Sequence, residues 1–169
     1  MTILTKDKIL EELRKGNIKI KSFKKENLGP ASYDMSIGNE FRRFVKQGKP
    51  LLIDEHADYK KITKLVKTTN PFVLEPGESA LGITKEELTL PDNICGWIQG
   101  RSRFARLGLM VHITASFIQP GVKNKQVLEF FNANPEPVAI KPGTRVCTII
   151  FETCEGHAKY RGKFLNQKL

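Results

Sequence analysis

The chain has 169 residues, of which 40% are hydrophobic and 27% are charged. This composition excludes a disordered chain, and the length suits one globular domain with a substantial core, which we expect to span residues 1–169. The formal net charge of +10 indicates an anionic partner, such as a nucleotide, a nucleic acid or an acidic surface. Because the positive charge is spread along the sequence without a basic tail, a nucleic-acid partner is not favoured.

Cysteine usage and hydrophobicity indicate the compartment. Cys95, Cys147 and Cys154 are odd in number, and none lies in a C-x-x-C pair, so neither a disulfide framework nor a structural zinc site is expected. Residues 1–16 are charged and helix-like, without the apolar core of a signal peptide. No apolar run approaches the roughly 20 residues that a membrane helix needs. We therefore expect a cytoplasmic protein with no membrane partner.

The first elements predicted are a helix and a strand. Residues 5–15 have the apolar stripe of an amphipathic helix, with Thr5 as its expected N-cap and Gly16 at its end. Residues 33–37 alternate between apolar and polar side chains, which predicts a half-buried strand. Gly38-Asn39, which follows, predicts a turn.

The rest of the chain is predicted to be mostly β. Residues 47–69 are rich in lysine and weakly patterned, which predicts a long excursion with one irregular strand pair. Beyond them, short apolar runs are separated by predicted turns at Pro76-Gly77, residues 88–92, Pro120-Gly121 and Pro142-Gly143. Several short strands with one clear helix favour a mainly β fold, a sandwich or barrel of the jelly-roll kind.

Two stretches could carry chemistry. The segment from Gly100 to Gly108 contains three arginines and one serine, and guanidinium groups form paired, charge-assisted hydrogen bonds to phosphate oxygens. Downstream, Glu129 is the one carboxylate in the apolar run of residues 127–131, a setting that suits proton transfer. Each stretch has an alternative interpretation, since arginine clusters are often solvated and a glutamate in a strand often faces water.

Other sites are disfavoured by the sequence. His56, His112 and His157 lack the spacing of metal ligands, and the H-x-E and P-C-x-x-C motifs of zinc-dependent nucleobase deaminases do not occur. Ser102 has no evident histidine and aspartate partners, so we do not interpret it as a nucleophile. The basic residues 156–169 could be either a disordered tail or a lid that orders over an anion.

The segment Gly100-Arg101-Ser102-x-x-Ala105-Arg106-Leu107-Gly108-Leu109 resembles the signature of the dCTP deaminases, members of the trimeric dUTPase-like superfamily. The resemblance extends from about residue 28 to residue 164. Further motifs follow the family's order: Pro30-Ala31-Ser32-Tyr33-Asp34, Pro76-Gly77-Glu78, Leu90-Pro91-Asp92, His112-x-Thr114-Ala115, Leu128-Glu129 and Ala158-Lys159-Tyr160-x-Gly162.

The resemblance implies a distorted jelly roll or β-barrel of the dUTPase-like type with a short N-terminal helix, assembled as a homotrimer with sites between subunits. It implies an enzyme that deaminates dCTP to dUTP and ammonia without zinc, with Mg²⁺ bound through the substrate triphosphate. Glu129 would be the general base and acid, and residues 156–169 the C-terminal lid. The implied substrate-binding residues are Arg101, Ser102, Arg103, Phe104, Ala105, Arg106, Ile113, Thr114, Ala115, Gln119, Val127, Leu128, Lys159, Tyr160 and Lys163.

The chain departs from the family's pattern at Arg103, Phe104, Gln119 and Lys163. The dUTPase relatives carry an aspartate where this chain has Gln119, and an amide cannot accept a proton as a base. We therefore predict deamination as the main activity, with dUTP hydrolysis weak or missing. The alternatives are a dUTP diphosphatase, an enzyme with both activities, and a non-catalytic nucleotide-binding module.

Overall fold

The computed structural model describes residues 2–169, which form two α-helices and eleven β-strands. In chain order these are α1 (Lys6–Lys15), β1 (Lys19–Lys21), β2 (Tyr33–Phe44), β3 (Thr63–Lys67), β4 (Phe72–Leu74), β5 (Ser79–Thr89), β6 (Ile94–Gly100), α2 (Ser102–Ala105), β7 (Leu109–Met110), β8 (Phe117–Ile118), β9 (Lys123–Asn132), β10 (Val138–Ile140) and β11 (Arg145–Thr153). The prediction of a mainly β fold is confirmed.

Nine strands form one curled antiparallel sheet in the order β7-β9-β5-β2-β11-β6-β8, with β1 paired to β5 and β3 to β2. Strands β4 and β10 form a separate antiparallel pair. Residues 111–116 connect β7 to β8, the two strands at opposite ends of the sheet order. This short connection brings the ends of the sheet together, and it places residues 111–116 beside β9.

Alternation along the strands builds the core. In β9 the side chains of Leu128 and Phe130 are fully buried, while those of the alternating residues Val127, Glu129 and Phe131 are only half-buried. Gly82 of β5 lies opposite Leu128, and a Cβ added there would come within 2.7 Å of the Phe130 ring. The Phe130 ring therefore packs directly against the backbone of Gly82, so a larger residue at position 82 would require the neighbouring core side chains to move.

Helix α1 begins and ends where the sequence predicts, although its N-terminal cap differs. Thr5 occupies the N-cap position, but its side chain makes no capping hydrogen bond. Asp7 in the first turn instead places a negative charge near the helix N-terminus, where the macrodipole favours it. Gly16 adopts φ +74°, and its N–H donates to the carbonyl of Leu13 at 3.1 Å.

The predicted turn at Gly38-Asn39 is wrong, because β2 continues through both residues. Glycine is needed there for a close approach between strands, since a Cβ on Gly38 would lie 2.8 Å from the carbonyl oxygen of Ile83. The pairing of β2 with β5 shifts register at this point. The buried carboxylate of Glu86 accepts a hydrogen bond from the N–H of Ser36 at 2.8 Å, which satisfies a backbone donor at the irregularity.

The turn predicted at residues 88–92 is wrong in its first half. Leu88 and Thr89 still belong to β5, and Leu88 is fully buried, because β5 pairs with β9 up to that end. The turns at Gly77, Gly121 and Gly143 are confirmed, each with a positive φ. The excursion of residues 47–69 contains one strand, β3, which pairs with β2, so the strand pair predicted within the excursion is wrong. Within the described chain, no helix is both long and apolar enough to cross a membrane.

Candidate active site

A cavity of about 500 Å³ lies between β9, residues 115–119 and the C-terminal segment. Five of the site residues implied by the resemblance contribute to its lining: Ala115, Gln119, Val127, Glu129 and Tyr160. Four of them lie within residues 115–129, and Tyr160 comes from the C-terminal segment, where its N–H donates to the carbonyl of Pro120.

Glu129 is held by the backbone of that connection. Its Oε2 accepts hydrogen bonds from the N–H groups of Ile113 at 3.0 Å and Thr114 at 2.9 Å. The side chain is half-buried and alternates with the core residues Leu128 and Phe130, so the strand itself directs it away from the core. Two backbone donors on one oxygen fix the carboxylate's orientation and leave Oε1 available to another partner.

The lining of the cavity is more apolar than polar, and it is almost free of charge. Among the described residues that line it, Glu129 is the sole carboxylate, and none is a lysine or an arginine. The other polar side chains are four amides and two tyrosines, from Gln119, Asn124, Gln126, Gln167, Tyr59 and Tyr160. A cavity of this kind suits an uncharged group with several hydrogen-bond donors and acceptors, such as a nucleobase with its sugar.

The Arg-Ser segment lies outside this cavity. Arg101 is engaged within its own chain, since its guanidinium pairs with Asp34 at 3.0 Å and donates to the carbonyl of Arg145 at 2.8 Å. The segment then forms the short helix α2, which the sequence did not indicate. Four side chains of this segment are exposed, those of Ser102, Arg103, Ala105 and Arg106. No partner within the described chain covers them.

Several other implied site residues do not reach the cavity with their side chains. Leu128 is fully buried, and Phe104 packs against the core. Ile113 and Thr114 are exposed and reach the site mainly through their backbone N–H groups. Lys159 and Lys163 are exposed on the C-terminal segment.

The C-terminal segment folds back over the cavity without forming a helix or strand. The N–H of Ala158 donates to Asp92 O at 2.9 Å, and that of Tyr160 donates to Pro120 O at 3.0 Å. The ring Nδ1 of His157 lies 2.8 Å from a carboxylate oxygen of Asp92, and this hydrogen bond lowers the pKa of Asp92. These contacts fix the start of the segment and place Tyr160 at the cavity.

Sequence reasoning missed part of the lining. Phe44 comes from the end of β2, Tyr59 from the excursion, and Phe164 and Gln167 from the C-terminal segment, and no local pattern links them to the site. Two further lining residues, Asn124 and Gln126, do carry a signal. Both are buried polar residues that share the inward register of Leu128 and Phe130, where an apolar side chain is the rule.

Metal-binding groups are sparse in the described part of the chain, since no cluster of three or more His, Cys, Asp or Glu side chains that could hold an ion occurs in residues 2–169. The cavity offers one carboxylate, which is itself bonded to the backbone. The donor set of the site thus fits a metal only if most of the ligands come from a bound molecule or from water.

Comparison with protein families and curated proteins gives a consistent result. A family described as dCTP deaminase-like matches residues 3–154. The chain is 43% identical over 162 residues to a protein from Marinomonas sp. named dCTP deaminase, covering 89% of this chain and 82% of that protein. It is 35% identical over 179 residues to a protein from Methanobrevibacter smithii named "dCTP deaminase, dUMP-forming", covering 99% and 92%.

Solved structures share the fold. A 2′-deoxycytidine 5′-triphosphate deaminase from Agrobacterium tumefaciens superposes with a TM-score of 0.68 at 21% identity, covering 88% of this chain and 47% of that one. This chain therefore spans about half the length of that protein. The EIAV dUTPase superposes with a TM-score of 0.52 at 12% identity, covering 86% and 96%. At such identities these likenesses concern the fold, and they confirm the predicted jelly roll of the dUTPase-like type.

Proposed function

The chain belongs to the dCTP deaminase-like family, and we propose that it is a dCTP deaminase, a hydrolase that converts dCTP and water to dUTP and ammonia. The observation that carries this proposal is Glu129, a single carboxylate held by two backbone N–H groups in a cavity otherwise lined by uncharged side chains. Deamination at C4 of cytosine needs one group that accepts a proton from water and returns one to the leaving group.

In the proposed mechanism Glu129 works through its Oε1, to which no donor in residues 2–169 is hydrogen-bonded. This oxygen accepts a proton from the water that adds to C4 of the cytosine. The same carboxyl group then delivers this proton to the departing amine, which leaves as ammonia, while the proton of the added hydroxyl ends on N3 as the C4 carbonyl of uracil forms. Backbone groups of residues 113–115 hold the base and the water, and their link to Glu129 keeps the carboxylate oriented between the two transfers.

The triphosphate must be bound by cations that lie outside this cavity. Arg103, Arg106 and the hydroxyl of Ser102 are exposed, and they suit phosphate oxygens. We propose that a second copy of the chain brings this segment to the cavity, in a homotrimer with its sites between subunits. Arg101 is paired with Asp34, and this ion pair fixes the start of the segment to β2. Lys159 and Lys163 add positive charge on the C-terminal segment, which acts as the lid.

Mg²⁺ fits this site only as an ion bound through the phosphates, because the cavity provides one carboxylate and Mg²⁺ is commonly held by substrate phosphates and water. Bound there, it would neutralise phosphate charge. The proton transfers assigned to Glu129 require no zinc ion. We expect the reaction to take place in the cytoplasm, as the sequence predicted.

The substitution Glu129→Gln tests the proposal, because it keeps the size of the side chain and removes its ability to accept a proton. We expect the variant to bind dCTP and to lose about 10²–10⁴-fold in turnover, measured as ammonia release. The matched control is Glu136→Gln, since Glu136 is exposed and its carboxylate makes no hydrogen bond within the described residues. Near-normal ammonia release from Glu129→Gln would refute the assignment.

A second candidate is an enzyme that converts dCTP directly to dUMP. It is favoured by the Methanobrevibacter relative, whose name includes "dUMP-forming". Against it stands Gln119, which lines the cavity with an amide that cannot act as a base on a second water. Glu129 could serve either water, so the two candidates differ in their products and not in their catalytic carboxylate.

A further inference from the structure

Residues 164–168, here called the strap, cross the cavity beyond the lid motif. Phe164 and Gln167 line the cavity directly, and the residue after the strap, Leu169, is buried against the body of the protein. The strap has no helical or strand hydrogen bonding to hold it. Its position therefore depends on individual contacts with the rest of the chain.

The contact nearest the cavity is made by Asn124, a buried residue at the start of β9. Its Nδ2 donates to the carbonyl oxygen of Phe164 at 2.7 Å, while its Oδ1 accepts from Nε2 of Gln126 at 2.7 Å. The backbone N–H of Gln126 is in turn bound to Thr84 Oγ1 at 2.9 Å. Because a carbonyl can only accept, the bond to Phe164 requires the Asn124 amide to point its NH₂ group toward the strap.

Two further hydrogen bonds hold the other end of the strap. The hydroxyl of Tyr59 donates to the carbonyl of Lys168 at 3.2 Å, and Nε2 of Gln167 donates to the carbonyl of Lys125 at 2.8 Å. Tyr59 belongs to the excursion between β2 and β3, and its side chain also lines the cavity. The strap is thus fixed to two separate parts of the chain, β9 and the excursion.

We propose that Asn124 and Tyr59 are positioning residues, which hold the strap closed over the cavity and slow the release of the bound nucleotide. The identity of that nucleotide rests on the proposed function. Asn124 and Tyr59 are here called the latch. Neither of them holds Glu129, whose carboxylate is bound by Ile113 and Thr114, so the latch affects how long the ligand stays bound and not the proton transfer. Loss of one latch bond therefore raises the KM for dCTP and leaves kcat nearly unchanged.

The test compares Asn124→Ala and Tyr59→Phe with a matched control, Asn166→Ala. Tyr59→Phe removes one hydroxyl and keeps the ring, and Asn166 is an exposed strap residue whose amide makes no hydrogen bond within residues 2–169. Trypsin cleavage between Lys163 and Phe164 is measured without ligand, followed by KM and kcat for dCTP. Each latch variant is expected to be cut about 3–10-fold faster and to raise KM by a similar factor, as the loss of one neutral hydrogen bond predicts.

The outcomes separate the latch from the enzyme assignment. Cleavage at the rate of wild type and Asn166→Ala in both latch variants would overturn the proposal, as would faster cleavage with an unchanged KM or a fall in kcat at constant KM. If Asn124→Ala does not fold, as judged by circular dichroism, Tyr59→Phe decides the matter alone. If the wild-type protein does not turn over dCTP, the proposed function fails. The latch is then still tested by comparing the cleavage rates and the nucleotide affinities of the variants with those of the wild type.

Discussion

Glu129 reaches the cavity because it is flanked in β9 by Leu128 and Phe130, whose side chains are fully buried in the core. The sequence pattern alone left its role open, since a glutamate in a strand often faces water, and the resemblance to the dCTP deaminases singled it out. Its orientation cannot be predicted in the same way. The two N–H groups that hold it belong to Ile113 and Thr114, which are exposed residues without any local signal of their role.

The three cysteines should differ in reactivity, because the thiolate and not the thiol is the nucleophile. Burial, and then the hydrogen bond with Cys154, raises the pKa of Cys95 to about 12. Burial also raises the pKa of Cys147, which is fully enclosed. Cys154 is only half-buried. We expect iodoacetamide at pH 8 to modify Cys154 first in the native protein, as measured by peptide mass spectrometry.

The control for this experiment is the unfolded protein, in which all three thiols should react at similar rates. Labelling of Cys95 or Cys147 in the native protein as fast as Cys154 would contradict the burial described above. Cys154 lies close enough to Cys95 to influence its pKa. The protein is therefore kept under a reducing agent, which is removed immediately before the labelling reaction.

At the scale of elements, the sequence predicts turns where a glycine must adopt a positive φ. Gly77 and Gly121 both follow a proline and have φ of +74° and +78°. Gly38 has no such conformation, and it is glycine because the carbonyl of Ile83 lies too close for a side chain. A sequence alone does not distinguish these two reasons, and this is why the turn predicted at Gly38-Asn39 is wrong.

The remaining parts of the candidate site depend on contacts between distant elements. Tyr59 meets the strap from an excursion that has no clear pattern, and Asn124 binds Phe164 across 40 positions of the sequence. The short helix α2 also gave no advance signal, since four residues are too few for a helical period. Motif resemblance could name Glu129 and Tyr160, but the contacts that connect them could be found only in the folded chain.

At the scale of the whole molecule, positive charge and cavity are separated. The chain has a net charge of +10, yet no cation lines the cavity within the described residues, and Arg106 is exposed elsewhere. The proposed site, built from two copies of the chain, would resolve this separation. Glu129→Gln and Arg106→Ala should each be inactive alone, whereas an equimolar mixture, unfolded and refolded together, should regain about a quarter of wild-type activity, because one site in four then receives both native residues.

The matched control for this mixing experiment is each variant unfolded and refolded alone. Light scattering on the wild-type protein gives the number of copies, for which we expect three. A monomer that turns over dCTP, or a mixture no more active than its components, would show that each chain binds the phosphates by itself.

The most direct measurement is an analysis of products from one incubation with dCTP and one with dUTP, both with Mg²⁺, resolving dUTP, dUMP, pyrophosphate and ammonia. Proton transfer by Glu129 at the base, with an amide at Gln119, predicts that dCTP gives dUTP and ammonia in equal amounts and that dUTP persists. Conversion of dCTP to dUMP and pyrophosphate, or hydrolysis of dUTP without any release of ammonia from dCTP, would contradict the account.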